Sequence, residues 1–465
     1  MSTSPAAEPV SQARPRPATA TSAPRSGRRW WCEHAWLGDG PVAGVRVEAD
    51  DGAITAVERS AAPRPDDERL GGLVLPGFAN AHSHAFHRAL RGRTHDGGGT
   101  FWTWRERMYA VAGRLDPDAY LALARATYAE MALAGVSCVG EFHYLHHGPA
   151  GTPYADPNAM AEALRQAARD AGVRLTLLDA CYLSGGLTPE GHLPLDPVQQ
   201  RFSDGTAAAW AERVASLRPD EGMRVGAAIH SVRAVPRADL AEVGHAFPDA
   251  PLHAHLSEQF AENEAALGFY GLGPTELLAA ADVLGPRTTV VHATVAPHLS
   301  LLGATGTRVC MCPTTERDLA DGIGPARLLA DHGSPLCLGS DQHAVVDLLE
   351  EARALEMHER LFSLERGAFR PAELVEALTA GGHAALGWPE AGRIAVGARA
   401  DLTAVRLDSV RTAGTLPAQA VLAATAADVH TVVVGGRTVV RDGEHVLGDV
   451  GRLLADAIAP LWEQR

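Results

Sequence analysis

Two histidines, His82 and His84, stand at the end of an apolar run that begins at Leu75. Residues spaced two apart on an extended backbone point to the same side, so both imidazoles face one space and can share a cation. The pair alone is weak evidence, because nearby histidines also occur as surface residues or hydrogen-bonded core residues. Whether they bind a metal depends on polar residues elsewhere in the chain.

Polar residues also end most of the other short apolar segments. His255, His292 and Asp341 each stand at the end of a separate segment. Three imidazoles and one carboxylate match the ligands that Zn²⁺ accepts and leave a position for water. We therefore predict that His82, His84, His255 and Asp341 bind one Zn²⁺ ion, with Fe²⁺ as an alternative because the same ligand types accept it.

The expected chemistry of such a site is hydrolysis or deamination. A cation of this kind lowers the pKa of bound water from about 15.7 to about 7, so that water becomes a nucleophile near neutral pH. A leaving amine also needs a proton, and Glu258, three residues after His255, is placed to carry it. We predict catalytic roles for Glu258, for Asp341, and for His292 as a stabiliser of charge on the tetrahedral intermediate.

The elements that must position these residues follow from the alternation of short apolar segments with longer segments of helical period. We predict eight parallel strands that close as a (β/α)₈ barrel, an α/β fold whose reactive groups lie at the C-terminal ends of the strands. The predicted strands are 77–82, 136–141, 173–178, 225–230, 251–255, 289–292, 308–312 and 335–341. The predicted helices include 117–134, 158–171, 206–217, 274–281 and 348–361.

The two ends of the chain are rich in predicted strands. Segments 42–50 and 53–58 alternate around Asp50-Asp51-Gly52, as in a β-hairpin, and short strands recur at 400–405, 431–434 and 437–440. We predict a small β-sandwich domain from residues 30–74 and 389–450, a barrel over 75–388, a C-terminal helix over 451–465 and a disordered tail over 1–29.

Composition excludes several functional classes. The formal net charge of −15 argues against a nucleic-acid surface, which needs a concentrated basic face. No uninterrupted apolar stretch is long enough to predict a membrane span. The partner we expect is a small-molecule substrate, and a homodimer is the default assembly for a soluble enzyme.

Cysteine usage favours a reduced, cytoplasmic protein, since the six cysteines are scattered and mostly lie in apolar runs. Cys310-Met311-Cys312 could be half of a soft-metal site, but no second pair of this kind exists, so a buried strand is the favoured interpretation. Arg28-Arg29 is similar to the start of a twin-arginine signal, yet no apolar core follows it.

Several motifs together resemble the amidohydrolase superfamily in its one-metal deaminase branch. They are Pro-Gly-x-x-Asn-x-His-Ser-His at 76–84, His255 with Glu258, His292, and Gly-Ser before Asp341. The resemblance covers about residues 31–450 and implies a sandwich domain built from both termini. No Lys ends the fourth predicted strand to bridge two metals, which implies a single metal ion.

Four segments further resemble the formimidoylglutamate deiminases: 81–86, 101–109, 141–147 and 230–235. The resemblance implies hydrolysis of N-formimidoyl-L-glutamate to N-formyl-L-glutamate and ammonia, a step of histidine degradation. A substrate with two carboxylates needs cationic forks, for which Arg105 and Arg233 are suited, with Tyr144 and His230 adding hydrogen bonds. Arg105 could instead pair with Glu106 or another surface acid.

Two positions depart from that family. His87 stands where Gln is common, and Gln342 follows Asp341 where Ser is common. Both residues are predicted to contact the substrate, and both retain hydrogen-bonding ability, so the same reaction is expected. Two other functions remain open: an aminohydrolase of the same branch that acts on a guanine-, cytosine- or adenosine-like ring, and a non-catalytic scaffold with the same fold.

Overall fold

The computed structural model describes Met1, residues 27–95 and residues 101–463. The predicted tail over 1–29 lies almost wholly outside these residues, although Arg28 and Arg29 already belong to the first strand. The strands are β1 (Arg28–Leu37), β2 (Gly40–Asp50), β3 (Ala53–Glu58), β4 (Glu68–Pro76), β5 (Phe78–Ser83), β6 (Val136–His143), β7 (Arg174–Cys181), β8 (Gly186–Thr188), β9 (Gly191–Leu193), β10 (Met223–Ile229), β11 (Leu252–Leu256), β12 (Thr288–His292), β13 (Arg308–Met311), β14 (Leu336–Leu338), β15 (Leu402–Val405), β16 (Val429–Val434), β17 (Arg437–Arg441) and β18 (Glu444–His445).

Eight parallel strands form a nearly closed barrel. Their order is β14-β13-β12-β11-β10-β7-β6-β5, which confirms the predicted fold and all eight predicted strands. The first and last strands meet through a parallel bridge between Ser83 and Asp341. Asp341 N donates to His82 O at 3.0 Å, and His84 N donates to Asp341 O at 3.2 Å. The barrel is therefore joined at the predicted metal ligands themselves.

Helices cover the outside of the barrel. The longest begin and end with ordinary signals: the Asp116 side chain caps α2, which has Pro117 at its first turn, and α3 ends at Gly172 with a φ of 75°. The five predicted helices are confirmed. The helices are α1 (Phe101–Ala112), α2 (Pro117–Leu133), α3 (Ala159–Ala171), α4 (Ala207–Ala215), α5 (Leu240–His245), α6 (Phe260–Tyr270), α7 (Pro274–Ala280), α8 (Leu299–Thr305), α9 (Pro313–Asp318), α10 (Ala326–Asp331), α11 (Leu348–Ser363), α12 (Pro371–Glu376), α13 (Gly382–Ala385) and α14 (Val450–Ile458).

Strands from both ends of the chain form a second, separate sheet. Its order is β18-β17-β16-β15-β4-β1-β2-β3, so all its strands belong to one continuous sheet. The antiparallel pairing of β15 with β4 joins the two ends, with Leu402 opposite Pro76. Trp30, Val45 and Val47 belong to its own buried apolar cluster. Among the described helices, none combines the length and apolar character needed to cross a membrane.

Candidate active site

The predicted ligands come together at the C-terminal ends of the barrel strands. His82 lies in β5 and His84 directly follows it, His255 lies in β11, and Asp341 follows β14. Each of the four side chains is buried. The distances between their donor atoms are 3.2 Å for His82 Nε2 to His84 Nε2, 3.1 Å for His255 Nε2 to His82 Nε2, and 3.4 Å for His84 Nε2 to Asp341 Oδ1.

The hydrogen bonds of two of these histidines determine which ring nitrogen faces the centre. His84 Nδ1 lies 2.9 Å from the carbonyl oxygen of Phe142, and His255 Nδ1 lies 2.8 Å from that of His230. A carbonyl oxygen only accepts, so both Nδ1 atoms carry the hydrogen. Because burial holds the pKa of both imidazoles below the usual value, the rings are neutral and each directs an Nε2 lone pair at His82.

This donor set fits a divalent cation. His82 Nε2 carries at most one hydrogen, so it cannot donate to the Nε2 lone pairs of both His84 and His255. A cation between the three rings would accept the lone pairs of all three Nε2 atoms. Two nitrogens bound tetrahedrally at 2.0–2.1 Å would be about 3.3 Å apart, close to the spacing found here. Burial favours the neutral carboxyl of Asp341, but His82 and His292 hold its pKa below the usual value, so an anionic ligand completes the set.

The backbone at the site is strained. Ser257, His292 and Asp341 have φ values of 48°, 71° and 43°, which non-glycine residues seldom adopt. Such conformations persist only where the surrounding structure imposes them, and they concentrate at functional sites. The turn at Asp341 also redirects the chain that follows it.

Glu141 bonds the residues on both sides of His84, a role that was not predicted. Its Oε2 accepts from the Ser83 hydroxyl at 2.8 Å and its Oε1 accepts from Ala85 N at 2.7 Å. The side chain is fully buried, and burial raises its pKa to about 8 against the effect of these hydrogen bonds. Its position at the end of the second predicted strand was the sequence signal for it.

Glu258 and His292 lie beside the ligand cluster. His292 Nε2 is 3.8 Å from Glu258 Oε1 and 3.7 Å from Asp341 Oδ2. Burial disfavours a charged ring, yet the neighbouring carboxylates of Glu258, Glu316 and Asp341 raise the pKa of His292 to about 10. Two carboxylates and one imidazole therefore surround one small space.

A cavity of about 390 Å³ opens onto this cluster. Aromatic rings contribute to its walls, among them Trp104, Tyr109, Tyr182 and Phe202. The predicted site residues that line it are His84, His87, Arg105, Tyr144, His230, Arg233, His255, Glu258, His292 and Asp341.

The polar residues of the cavity wall are held by one another. His87 Nε2 is 2.8 Å from the Tyr144 hydroxyl, and the Tyr144 and His230 rings are in edge contact at 5.3 Å. Arg105 donates from Nε to the Tyr109 hydroxyl at 2.6 Å and from Nη2 to Gly185 O at 3.2 Å. Arg105 thus also holds the start of the β8–β9 hairpin, which covers one side of the cavity.

Gln342 does not line the cavity, contrary to the prediction. Its side-chain amide donates to Asp318 Oδ2 at 2.7 Å, and its backbone N donates to Thr315 Oγ1 at 3.4 Å. The positive φ of the preceding Asp341 turns this side chain towards α9. Gln342 therefore connects the loop after β14 to α9.

A second group of potential ligands is already neutralised. His143, His146 and Asp179 lie close enough to share an ion. However, Asp179 accepts two hydrogen bonds from Arg213, at 2.8 and 3.0 Å, and one from Trp210 Nε1 at 3.0 Å. The guanidinium takes the place that a cation would have, so this group is a buried ion-pair network.

Comparisons with known proteins cover the barrel and the second sheet together. A model of the amidohydrolase family matches residues 73–439. The formimidoylglutamate deiminase of Pseudomonas aeruginosa is 37% identical over 437 residues, covering 89% of this chain and 95% of that protein. The 8-oxoguanine deaminase of the same species is 29% identical over 390 residues, covering 82% and 85%. A crystal structure of an amidohydrolase from Brucella melitensis, 32% identical, superposes with a TM-score of 0.85 over 94% of this chain and 100% of that chain.

Proposed function

Because this chain belongs to the amidohydrolase family, we propose that it hydrolyses N-formimidoyl-L-glutamate to N-formyl-L-glutamate and ammonia, a step of histidine degradation. The observation that carries the proposal is one cavity with the clustered ligands at one end and two guanidinium groups, Arg105 and Arg233, in its wall. The 37% identity to a formimidoylglutamate deiminase supports the same substrate.

His82, His84, His255 and Asp341 would hold one Zn²⁺ ion. When bound, the ion supplies a nucleophilic water near neutral pH by lowering the pKa of water to about 7. The Nδ1–H groups of His84 and His255 donate to backbone carbonyls, and these hydrogen bonds keep the Nε2 atoms directed at the metal position.

Glu258 moves the protons of the reaction. Its carboxylate takes one proton from the water as the water oxygen bonds to the formimidoyl carbon, and passes it to the imino nitrogen. It then takes the proton of the new hydroxyl group and passes it to the same nitrogen, which leaves as ammonia. Breaking that C–N bond restores a C=O group, and the product is the N-formyl amide. His292, 3.8 Å from Glu258, stabilises the charge that develops on the oxygen of the tetrahedral intermediate.

Arg105 and Arg233 bind the two carboxylates of the glutamate portion. A planar guanidinium offers paired donors that match a carboxylate, and both side chains are partly buried, where screening by water is weaker. Tyr144, His87 and His230 complete the binding surface with hydrogen bonds.

A second function has one specific observation in its favour. The aromatic walls formed by Trp104, Tyr109, Tyr182 and Phe202 suit a planar base, which would stack on them. A deaminase of a guanine-, cytosine- or adenosine-like ring is therefore the alternative, and the 29% identity to an 8-oxoguanine deaminase supports it.

Ammonia release separates these functions. The metal-loaded protein is offered N-formimidoyl-L-glutamate, guanine, cytosine and adenosine, with and without a chelator, and its metal is identified by elemental analysis. We expect release from N-formimidoyl-L-glutamate alone, abolished by the chelator. Release from a base would favour the alternative, and release from none would leave a non-catalytic scaffold.

Separate Arg105→Gln and Arg233→Gln variants test the carboxylate pocket. Each loses a charge-assisted contact of roughly 1.5–3 kcal/mol, so KM should rise about 10- to 100-fold. Arg107→Gln, an exposed residue on the same helix as Arg105, is the matched control and should leave KM unchanged. If neither variant raises KM, the carboxylates bind elsewhere.

A further inference from the structure

Glu316 is a buried carboxylate that the proposed reaction does not use. It lies in the first turn of α9, at the end of the seventh barrel strand, and is 1% exposed. Its Oε1 accepts from Cys312 N at 2.9 Å and lies 3.4 Å from His292 Nδ1. One oxygen atom therefore links the start of α9 to a catalytic ring.

This contact keeps a hydrogen on Nδ1 of His292. An oxygen that already accepts from a backbone N–H acts as an acceptor, so the facing Nδ1 must be the donor. The other nitrogen, Nε2, is then directed at the space between Glu258 Oε1 and Asp341 Oδ2, at 3.8 and 3.7 Å. That space is where the formimidoyl carbon would react.

We propose that Glu316 is a positioning residue, which keeps hydrogen on Nδ1 of His292 and thereby turns Nε2 towards the reacting carbon. The inference rests on the proposed function for its kinetic consequence, but not for the geometry. His292 needs such a partner because it is the last residue of β12, with a φ of 71°, and regular strand geometry does not fix its ring. The His255 and His292 rings are stacked, with their centroids 5.7 Å apart. Stacking does not fix the rotation of the His292 ring within its own plane, and the contact with Glu316 does.

A purely structural role for Glu316 is the competing explanation, because the bond to Cys312 N also closes the turn that begins α9. The chain offers a matched control. Glu351 is equally buried and binds the same turn, accepting from Thr314 N at 2.9 Å, yet it does not contact His292. Loss of Glu351 should disturb α9 without changing the His292 ring.

The experiment compares Glu316→Gln and Glu316→Leu with Glu351→Gln and Glu351→Leu in the zinc-loaded protein. Nitrogen-15 NMR of labelled histidine reports which ring nitrogen of His292 is protonated, and ammonia release gives kcat and KM. We expect Nδ1–H in the wild type and its loss in Glu316→Leu, with kcat lowered about 100-fold and KM changed less than about threefold.

Glu316→Gln separates orientation from charge. The amide oxygen can still accept both hydrogen bonds, so we expect Nδ1–H to persist while kcat falls about 10-fold for lack of the negative charge. The Glu351 variants should lower the unfolding midpoint but leave kcat within about threefold of the wild type. If Glu316→Leu fails to fold, the comparison of Glu316→Gln with Glu351→Gln decides.

Two results would overturn the proposal. One is hydrogen on Nε2 rather than Nδ1 of His292 in the wild type, and the other is a kcat in the Glu316 variants equal to that of their Glu351 counterparts. Failure of the proposed function is distinguishable, because it appears as absence of ammonia from N-formimidoyl-L-glutamate in the wild type. In that case the NMR measurement still tests Glu316 on its own.

Discussion

Single histidines in this barrel have different roles that depend on their partners. His255 gives its Nδ1 hydrogen to a backbone carbonyl and keeps Nε2 for the ligand cluster. His253, on the same strand, instead places Nε2 at 3.0 Å from the carbonyl oxygen of Ala385. Both residues are histidines on the same strand and point to the same side of the backbone. They differ only in the atoms that their ring nitrogens contact, and this difference makes His255 a candidate ligand and His253 a packing residue.

Replacing Glu258 by Gln should separate proton transfer from metal binding. The amide cannot carry a proton between water and the leaving nitrogen, so kcat should fall about 10²- to 10⁴-fold, whereas metal content should stay at one ion per chain. Ammonia release and elemental analysis measure the two quantities. Glu264→Gln, at the exposed rim of the same cavity, is the control; an equal loss of kcat there would argue against a special role for Glu258.

At the residue scale, the sequence predicted which side chains would cluster but not the residues that hold them in place. His82, His84, His255 and Asp341 stand at strand ends, where the barrel fold itself brings side chains together. The contact of Gln342 with Asp318 could not be predicted, because Asp318 lies on α9, far away in sequence, and the positive φ of Asp341 that directs Gln342 there is not marked by a glycine. A contact between two common residue types that are far apart in sequence produces no local sequence pattern from which it could be predicted.

The short strand β14 and Gly339, the glycine that follows it, pack closely against His82. A Cβ at Gly339 would lie 2.7 Å from the Cβ of His82 and 2.9 Å from its carbonyl oxygen, the atom that accepts from Asp341 N. No L side chain fits at that distance without moving β5 away from β14. The first and eighth strands therefore approach closely only because this position lacks a side chain.

Gly339→Ala should separate those two strands. Overpacking of this kind costs about 1–3 kcal/mol, and we expect a matching fall in the free energy of unfolding together with weaker zinc binding. Denaturation in urea and competition with a chelator measure the two effects. Gly40→Ala, where an added Cβ meets nothing within 4 Å, should change neither. Unaltered zinc affinity in Gly339→Ala would show that the ligands tolerate a wider spacing.

Elements with strong apolar runs were predictable, and those without them were not. Strands such as β6 and β7 are buried along their whole length, so their sequences are mostly apolar, with polar residues mainly near the strand ends. The β8–β9 hairpin has strands of three residues, none of them buried, and contains glycine, threonine and histidine. The position of the hairpin depends on contacts with Arg105 and α6, which are far from it in sequence, so the local sequence does not predict it.

Across the whole molecule, one buried ion pair joins the barrel to the second sheet. Arg174 begins β7, and its Nη1 donates to Asp401 Oδ1 at 2.9 Å, just before β15. The same oxygen accepts from Gly435 N at 2.8 Å, and Asp401 O accepts from Gly77 N at 3.0 Å. Burial alone would raise the pKa of Asp401, but Arg174 holds it below the usual value.

Asp401→Asn should destabilise the protein by about 3 kcal/mol at pH 7, because it leaves a buried guanidinium without its anion. The pKa of Asp401 is lower in the folded than in the unfolded chain, so its ionised form contributes stability above about pH 4, and the contribution is lost as the pH falls through the folded value. Urea denaturation at pH 7, 5 and 3.5 should show the gap between variant and wild type narrowing at the lowest pH. The exposed Asp39→Asn is the control; a gap independent of pH would mean that charge is not the cause.

The bridge between Ser83 and Asp341 also sets the time at which the predicted ligand set can be completed during synthesis. Roughly 260 residues separate the first two histidines from Asp341, and a ribosome adding about 5–20 residues per second needs about 13–50 s to make them. During that interval the nascent chain has only part of the predicted ligand set, and a divalent ion would bind to it weakly and reversibly. Tight capture must wait until the eighth strand has emerged and joined the first. A chain released early by a stalled ribosome would lack Asp341, and so its predicted ligand set would be incomplete even if most of its barrel had been synthesised.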